Sequence, residues 1–299
     1  MISSSAFGQA IVLNQGQTTS GVGLQRGFVK SHVGFDGKKA DLGHIASYLI
    51  RPEMSYGLTD RVTIDGDASF SGAKYMGSQP HGRLDDASYH STLQDLHVGV
   101  RANWLMRPLF VTPYLRLTVP SHDYQLEGHT ATGKGKKELG AGLYVGRDLD
   151  PYIPKAYFEM MGSHTWVQRT RIEATSERLN RTNASVELGY YLTPSWTVTT
   201  FGTGVRTLGG WNLPRKFNNA NEIHEHDRFD KTKDVILGGT VAYSVRGDVS
   251  IYAGYFATAW ARTAHKLSGP EVGFTWSPQR RQVWLASSRP RPVMFLAQR

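Results

Sequence analysis

The segment from Leu93 to Val119 alternates apolar and polar residues along two arms that a short break separates. Side chains in a β-strand point to opposite faces in turn, so this period of two predicts a hairpin with one apolar and one polar face. The apolar face carries Leu96, Val98, Val100, Ala102 and Trp104 in the first arm and Leu109, Val111, Pro113, Leu115, Leu117 and Val119 in the second.

Each arm is longer than an ordinary soluble strand, which has about five to six residues. The length matches the roughly nine to eleven residues that a tilted strand needs to cross a bilayer. The chain is 39% hydrophobic and has no run of about eighteen apolar residues, which excludes a transmembrane helix. A barrel remains possible because half of each strand faces the lumen. The 32 Gly, 14 Tyr and 7 Trp residues fit turns and aromatic girdles.

The same period recurs in about twelve segments along the chain. Tight turns near 57, 106, 150, 194 and 247 alternate with longer loops near 38, 82, 128, 175, 221 and 266. Transmembrane barrels have an even strand number, short periplasmic turns and long outer loops, whereas a soluble lipocalin-like or sandwich fold has no reason to separate its loops this way. The sequence therefore predicts an all-β fold, a transmembrane antiparallel up-and-down β-barrel of about 12 strands with long extracellular loops.

The barrel is expected to span residues 21–277, between an N-terminal segment, 1–20, and a basic tail, 278–299. Residues 1–20 contain neither the basic region nor the apolar region of a signal peptide. We expect that the chain begins near a mature start, around 6–10, or that the start codon is misplaced; a protein that is not exported is the less favoured alternative.

Composition limits the partners and the chemistry. The net charge of +9 comes from basic residues scattered over loops and tail, so we expect no nucleic-acid partner. Cysteine is absent, which excludes disulfides and thiolate sites. The expected partners are outer-membrane lipid, lipopolysaccharide and a small-molecule solute. No cofactor is expected, and the oligomeric state stays open.

Charged residues on the polar faces form the candidate functional set. One interpretation is a pore lining that carries both signs of charge and orients a polar solute. The alternative, equally favoured, is that these residues fill and cross-link a narrow closed interior. The predicted lumen-facing residues are Asp65, Asp67, Asp95, His97, Arg101, Arg116, Glu138, Glu159, Glu187 and Arg262.

Two catalytic or metal-binding interpretations are weaker. Asp95 and His97 lie two residues apart on one face and could form a base and its orienting carboxylate, but no serine can be placed beside them. The run 224–226, His-Glu-His, could ligate a metal with His122 or His129, although a solvated loop is favoured. We therefore expect no enzyme activity and no metal ligand.

Three motifs carry a resemblance to a known family. They are Tyr-Gly-Leu-Thr-Asp-Arg at 56–61, Tyr-Tyr-Leu-Thr-Pro-Ser-Trp at 190–196 and Val-Thr-Pro-Tyr-Leu-Arg-Leu at 111–117. The chain resembles the outer-membrane barrels grouped under the meta-pathway of phenol degradation. That resemblance implies a bacterial outer-membrane location and passage of small, often aromatic or hydrophobic, compounds. This chain differs from the family at its C-terminal end. Such barrels usually finish on an aromatic residue, whereas this chain continues from Trp276 to Arg299.

The predicted function is a channel or facilitator for small solutes in the outer membrane. Two alternatives stay open. One is a barrel hydrolase acting on lipid or peptide, and the other is a non-conducting structural or adhesive barrel whose loops bind a partner.

Overall fold

The computed structural model describes residues 9–172, 175–217 and 220–278. Most of these residues lie in long antiparallel strands of 11 to 16 residues. The long strands are β1 (Thr18–Val33), β3 (His44–Thr59), β4 (Val62–Met76), β5 (His90–Ala102), β6 (Phe110–Pro120), β7 (Glu138–Asp148), β8 (Ala156–Val167), β11 (Asn180–Tyr191), β12 (Trp196–Leu208), β13 (Lys233–Arg246), β14 (Val249–Arg262) and β15 (Ala264–Trp276).

Short elements lie in the loops between the long strands. They are β2 (Lys39–Ala40), β9 (Thr170–Ile172), β10 (Thr175–Glu177), the helix α1 (Ala220–Glu225) and a 3₁₀ turn (His226–Arg228). Among the described residues, no helix has the length and apolarity required to span a membrane.

The sheet closes on itself. Each long strand pairs with the next along the chain, and β1 pairs with both β3 and β15. The register at the closing seam joins Ser20 to Trp276 and Val33 to Ala264. Closure leaves the long strands of the described chain without a free edge, as expected for a barrel. The prediction of an all-β, twelve-stranded up-and-down barrel is confirmed.

The apolar face of the strands points outward and the polar face points inward. In β5, Val98 is 58% exposed, whereas the neighbouring His97 and Arg101 are 8% and 5% exposed. Other strands repeat this arrangement, with outward Leu117 and Leu188. A soluble protein would bury these aliphatic side chains in its core, so the outer surface is suited to contact with hydrocarbon.

Exposed aromatic side chains lie near both ends of the barrel. Tyr56, Trp196 and Trp276 lie at the end with the short turns, while Trp166 and Trp260 lie at the opposite end. Aromatic rings in this position mark the two interfaces of a membrane-spanning barrel. We call these two ends the short-turn end and the loop end.

The connections follow the predicted alternation with one exception. The sequence pattern predicted a loop near 266, but β14 passes to β15 through Thr263 alone, which adopts a positive φ of 46°. The pattern hid this strand start because Ser268, Gly269 and Pro270 interrupt the apolar alternation of β15. The described barrel therefore has a tight turn at this point of its loop end.

The first strand, β1, begins at Thr18 and the last, β15, ends at Trp276; the sequence prediction for the barrel was 21–277. The predicted N-terminal segment 1–20 is described from residue 9 onward. Nearly all of the predicted basic tail 278–299 lies outside the described residues.

Candidate functional site

Strands β4, β5 and β6 carry a group of ion pairs across the barrel interior. The guanidinium of Arg101 donates from Nε to Asp65 Oδ2 at 2.7 Å and from Nη2 to Asp65 Oδ1 at 2.9 Å. Arg116 Nη2 donates to Asp67 Oδ2 at 2.6 Å. The strand register brings these side chains together. Asp65 of β4 lies opposite Gly99 of β5, which in turn lies opposite Arg116 of β6. These charge-assisted hydrogen bonds hold three adjacent strands to one another on the lumen side.

His97 lies beside this group and contacts the hydroxyl of Thr118, not the carboxylate of Asp95 that the weaker catalytic interpretation requires. Its Nδ1 is 2.8 Å from Thr118 Oγ1, and its Nε2 is 3.9 Å from Asp67 Oδ1. Asp95 accepts a hydrogen bond of 2.6 Å from the Tyr124 hydroxyl. Each member of the hypothetical Asp95–His97 pair thus has its own separate partner, and Asp95 does not orient His97.

A second group of polar contacts lines β7, β8 and β11. Arg181 forms two hydrogen bonds to the carboxylate of Glu138, one of them 2.8 Å long. Tyr157 donates to Glu187 Oε1 at 2.9 Å. The Arg181–Glu138 contact crosses between strands that are not direct neighbours, since β8 separates β7 from β11, whereas Tyr157 and Glu187 lie on the adjacent strands β8 and β11. Both contacts cross-link the interior in the way that the alternative interpretation of the lumen residues predicts.

The chain before β1 runs inside the short-turn end of the barrel. Ala10 and Val12 are only 2% and 3% exposed. The Ala10 amide donates to Glu159 Oε2 at 2.6 Å, and its carbonyl accepts a 2.5 Å bond from the Thr112 hydroxyl. The Leu13 amide donates to Thr63 Oγ1 at 2.8 Å. Residues 9–13 therefore lie inside the lumen, while Gln15 and Gly16 contact the β3–β4 turn at its rim, and we call the segment 9–17 the N-terminal plug.

Arg101 connects the ion-pair group to the N-terminal plug. Its Nη1 donates to the carbonyl oxygen of Gln9 and lies 3.5 Å from that of Ile11. One side chain thus serves both the strand-to-strand pairing and the attachment of the plug.

Three loops interlock at the loop end, namely 77–89, 121–137 and 209–232. Asp85 accepts the backbone amides of His129 and Thr130, each at 3.1 Å, and that of His81 at 2.8 Å. The Gly128 amide donates to the His224 carbonyl at 2.9 Å. The aromatic rings of Trp211 and Phe229 stack inside the third loop, 4.5 Å apart. We call these three loops the loop cap.

Burial changes the acidity of two groups in the loop cap. Burial, with the hydrogen bond to Asp95, raises the pKa of the Tyr124 hydroxyl above its ordinary value, which keeps it a donor. Burial, with the nearby His129 and His226, lowers the pKa of His81 to about 4, so that its ring is neutral at neutral pH.

Nine of the ten predicted lumen residues lie on the inward face, and Arg262 does not. A β-bulge between β13 and β14 shifts the register, which pairs Val235 with Trp260 but Ile236 with Thr258. The extra residue reverses the facing, so Trp260 is 43% exposed and Arg262 lies beside it, with its guanidinium carbon 5.1 Å from the ring centroid. Arg262 lines a cavity of about 330 Å³ at the loop end with Lys231 and Lys233.

Sequence reasoning missed several residues that complete the interior. The candidate set contained only charged residues, so it left out the neutral hydrogen-bonding partners on the inward face. Arg181 was interpreted as part of the loop near 175. The partners that the structure adds are Asn103, Thr112, Thr118, Tyr124, Tyr157 and Arg181. Counting every hydrogen-bonding side chain of the inward phase would have found most of them.

Comparison with known proteins places the fold among outer-membrane barrels. No family model and no curated protein matches the sequence. An outer-membrane channel from Pseudomonas putida F1 is similar in structure, with a TM-score of 0.71 and 12% identity over 91% of this chain and 98% of that one.

Two further structures are similar to a smaller degree. The NanC porin gives a TM-score of 0.51 at 12% identity, covering 85% of this chain and 98% of the porin. The translocator domain of the autotransporter NalP from Neisseria meningitidis gives 0.51 at 10% identity, with 88% and 89% covered. At these identities the similarity concerns the fold.

Proposed function

We propose that this protein is an outer-membrane channel or facilitator that passes small solutes. The observation that carries this proposal is the pairing of an apolar outer face with a polar, hydrogen-bonded interior in a closed barrel. Such a surface requires a surrounding apolar phase, and such an interior suits water and solute. The similarity to a structure described as an outer-membrane channel supports the same proposal.

The interior favours a gated facilitator over an open pore. Eight strands enclose just enough space for side chains, whereas 16 to 18 leave an aqueous channel, so twelve strands leave an intermediate lumen. Here the N-terminal plug occupies the short-turn end, and the loop cap covers the opposite end. Transport therefore requires that both the plug and the loop cap move.

We further propose that the solutes are small aromatic or hydrophobic compounds. The support is the resemblance to the phenol meta-pathway barrels, whose Tyr-Gly-Leu-Thr-Asp-Arg motif spans the end of β3 and the turn to β4 in this structure. The ion pairs across the interior narrow the lumen, which should slow the passage of ions. A small uncharged molecule needs no wide continuous opening.

The outer surface is suited to lipid and lipopolysaccharide as partners. Near the loop end, Arg26 donates to the Tyr89 hydroxyl at 2.6 Å, and the Lys74 ammonium lies 5.4 Å from the same ring. Two cations beside an aromatic ring on the outer surface are suited to the phosphates of lipopolysaccharide. We infer from this surface that the loop end faces outside the cell and the short-turn end faces the periplasm.

Transport is favoured over catalysis because Asp95 and His97 bind different partners. The experiment that tests the proposal expresses the chain behind a functional signal peptide and compares boiled and unboiled outer-membrane fractions on a gel. The expected result is a heat-modifiable band, followed by a larger acceleration of phenol entry than of glucose entry when liposomes that contain the protein are compared with protein-free liposomes. A folded barrel that accelerates neither solute contradicts the proposal.

A further inference from the structure

Three histidines from separate parts of the chain converge under the loop cap. His32 of β1 and His265 of β15 are cross-strand partners at the closing seam of the barrel. His129 reaches them from the loop 121–137. The ring centroids of His32 and His265 are 4.4 Å apart, and those of His32 and His129 are 5.2 Å apart.

Several ring nitrogens of this cluster are buried without a hydrogen bond among the described residues. The His129 side chain is fully buried; its Nε2 has no partner in this part of the chain, and its Nδ1 faces the Asp227 carboxylate at 3.5 Å. Both ring nitrogens of His32 are likewise buried without a hydrogen bond. A buried polar atom without a partner is destabilising, so several of them in one place indicate a group that binds there.

We propose that His32, His129 and His265 form a binding site for a divalent transition-metal ion of the Zn²⁺ type. One nitrogen from each ring lies within 4.8 Å of the others. Tetrahedral ligands at zinc bond lengths lie roughly 3.4 Å apart, so side-chain rotations that shorten the distances by up to about 1.4 Å complete the site. Neutral imidazoles suit zinc, copper and nickel, whereas calcium and magnesium prefer oxygen ligands.

The surroundings hold the ligands in place without a metal. Tyr75 stacks on the His129 ring with a centroid distance of 4.6 Å. Asp85 fixes the backbone of the same loop through the amides of His129 and Thr130. The Asp227 carboxylate lies 3.5 Å from His129 Nδ1, in the position of the carboxylate that orients a zinc-binding histidine.

A metal at this site would fasten the loop cap to the barrel. Two ligands lie on the strands that close the barrel and the third lies on a covering loop, so one ion joins three segments that are distant in sequence. The inference is independent of the proposed transport function, because it concerns binding and loop attachment alone. It also differs from the sequence prediction, which expected no metal ligand and named His129 only in a weaker alternative.

The test uses the full chain without a histidine tag, folded in detergent micelles and freed of metal by a chelator. Titration with Zn²⁺ in a calorimeter should show one ion per chain, and Co²⁺ should give the visible absorption of a tetrahedral complex. Replacing His129 or His265 with alanine should weaken Zn²⁺ binding at least about tenfold, since each removes one of three ligands. The matched control is His122→Ala, which removes an exposed histidine of the same loop.

Heat-modifiable migration shows that each variant is folded. If His129→Ala does not fold, His32→Ala and His265→Ala carry the test, because both positions keep their backbone pairing. Absence of stoichiometric binding in the original chain overturns the proposal. Binding that is unchanged in the ligand variants, or equally lost in His122→Ala, overturns it as well.

Discussion

Arg101 holds Asp65 through two hydrogen bonds of 2.7 and 2.9 Å and, with the same guanidinium, binds the backbone of the N-terminal plug. The pair lies on adjacent strands, where Asp65 opposes Gly99 and Arg101 opposes Thr63. The buried guanidinium of Arg101 thus stabilises the barrel wall and also holds the N-terminal plug in the lumen.

Removal of this cation should destabilise the barrel. Arg101→Gln leaves Asp65 without its partner. The free energy of unfolding should fall by about 2–4 kcal/mol. This is less than the loss expected for a fully buried pair, because Asp65 is partly exposed. Urea unfolding in micelles measures it. In a double-mutant cycle with Asp65→Asn, the double variant should lose less than the sum of the single losses. Strict additivity would show that the two side chains are not coupled.

The attachment of the N-terminal plug should control permeability. Thr112→Val keeps the side-chain shape but removes the hydroxyl that contacts the Ala10 carbonyl at 2.5 Å and Asn103 Oδ1 at 2.6 Å, so the plug should detach more often. We expect about a two- to tenfold faster liposome swelling, which corresponds to the roughly 0.5–1.5 kcal/mol of one hydrogen bond. Thr200→Val on the outward face is the matched control and should leave the swelling rate unchanged. Equal rates in both variants would contradict the role of the plug.

The outward face of β5 and β6 should contact lipid. Val98 and Leu117 oppose each other on this face and are 58% and 51% exposed. Leu117→Arg should lower the free energy of unfolding in liposomes by about 2–4 kcal/mol if it lies near the bilayer centre. Leu58→Arg, close to the short-turn end, should cost about 0–1 kcal/mol. A larger cost at Leu58 than at Leu117 is the result that counts against this placement.

Asp85 should keep the loop cap closed. Asp85→Ala removes the acceptor for three backbone amides, so the loop 121–137 should open and its backbone should become mobile enough for a protease to cut beside its lysines. Limited trypsin digestion should cut this loop at least about tenfold faster, because local opening loses more than one hydrogen bond. Asp86→Ala removes the adjacent, exposed carboxylate and serves as the control. Unchanged digestion of Asp85→Ala would mean that other contacts hold the loop.

The barrel was predictable because each strand repeats a period of two over a length that a bilayer requires. Local exceptions were not predictable in the same way. The bulge before Trp260 adds one residue to β14 and reverses the facing of Arg262, although the sequence there still alternates. The start of β15 was hidden because Ser268 and Pro270 break the apolar pattern.

The contents of the lumen were predicted only in part. Alternation places Asp65 and Arg101 on the inner face, but their pairing depends on the register between strands. The N-terminal plug has no periodic pattern, so its position inside the barrel depends on contacts such as that between Ala10 and Glu159. His32 and His265 are 233 positions apart, and only closure of the barrel makes them neighbours.

The most direct test of the central claim is single-channel conductance in planar bilayers. The full chain is compared with a variant whose mature chain begins at Gln17, after heat-modifiable migration has shown that both are folded. The account predicts small, infrequent current steps for the full chain and larger or more frequent steps for the variant, because only the loop cap then closes the pathway. Two folded barrels that both fail to conduct, or that conduct equally, would contradict a solute pathway closed by this segment.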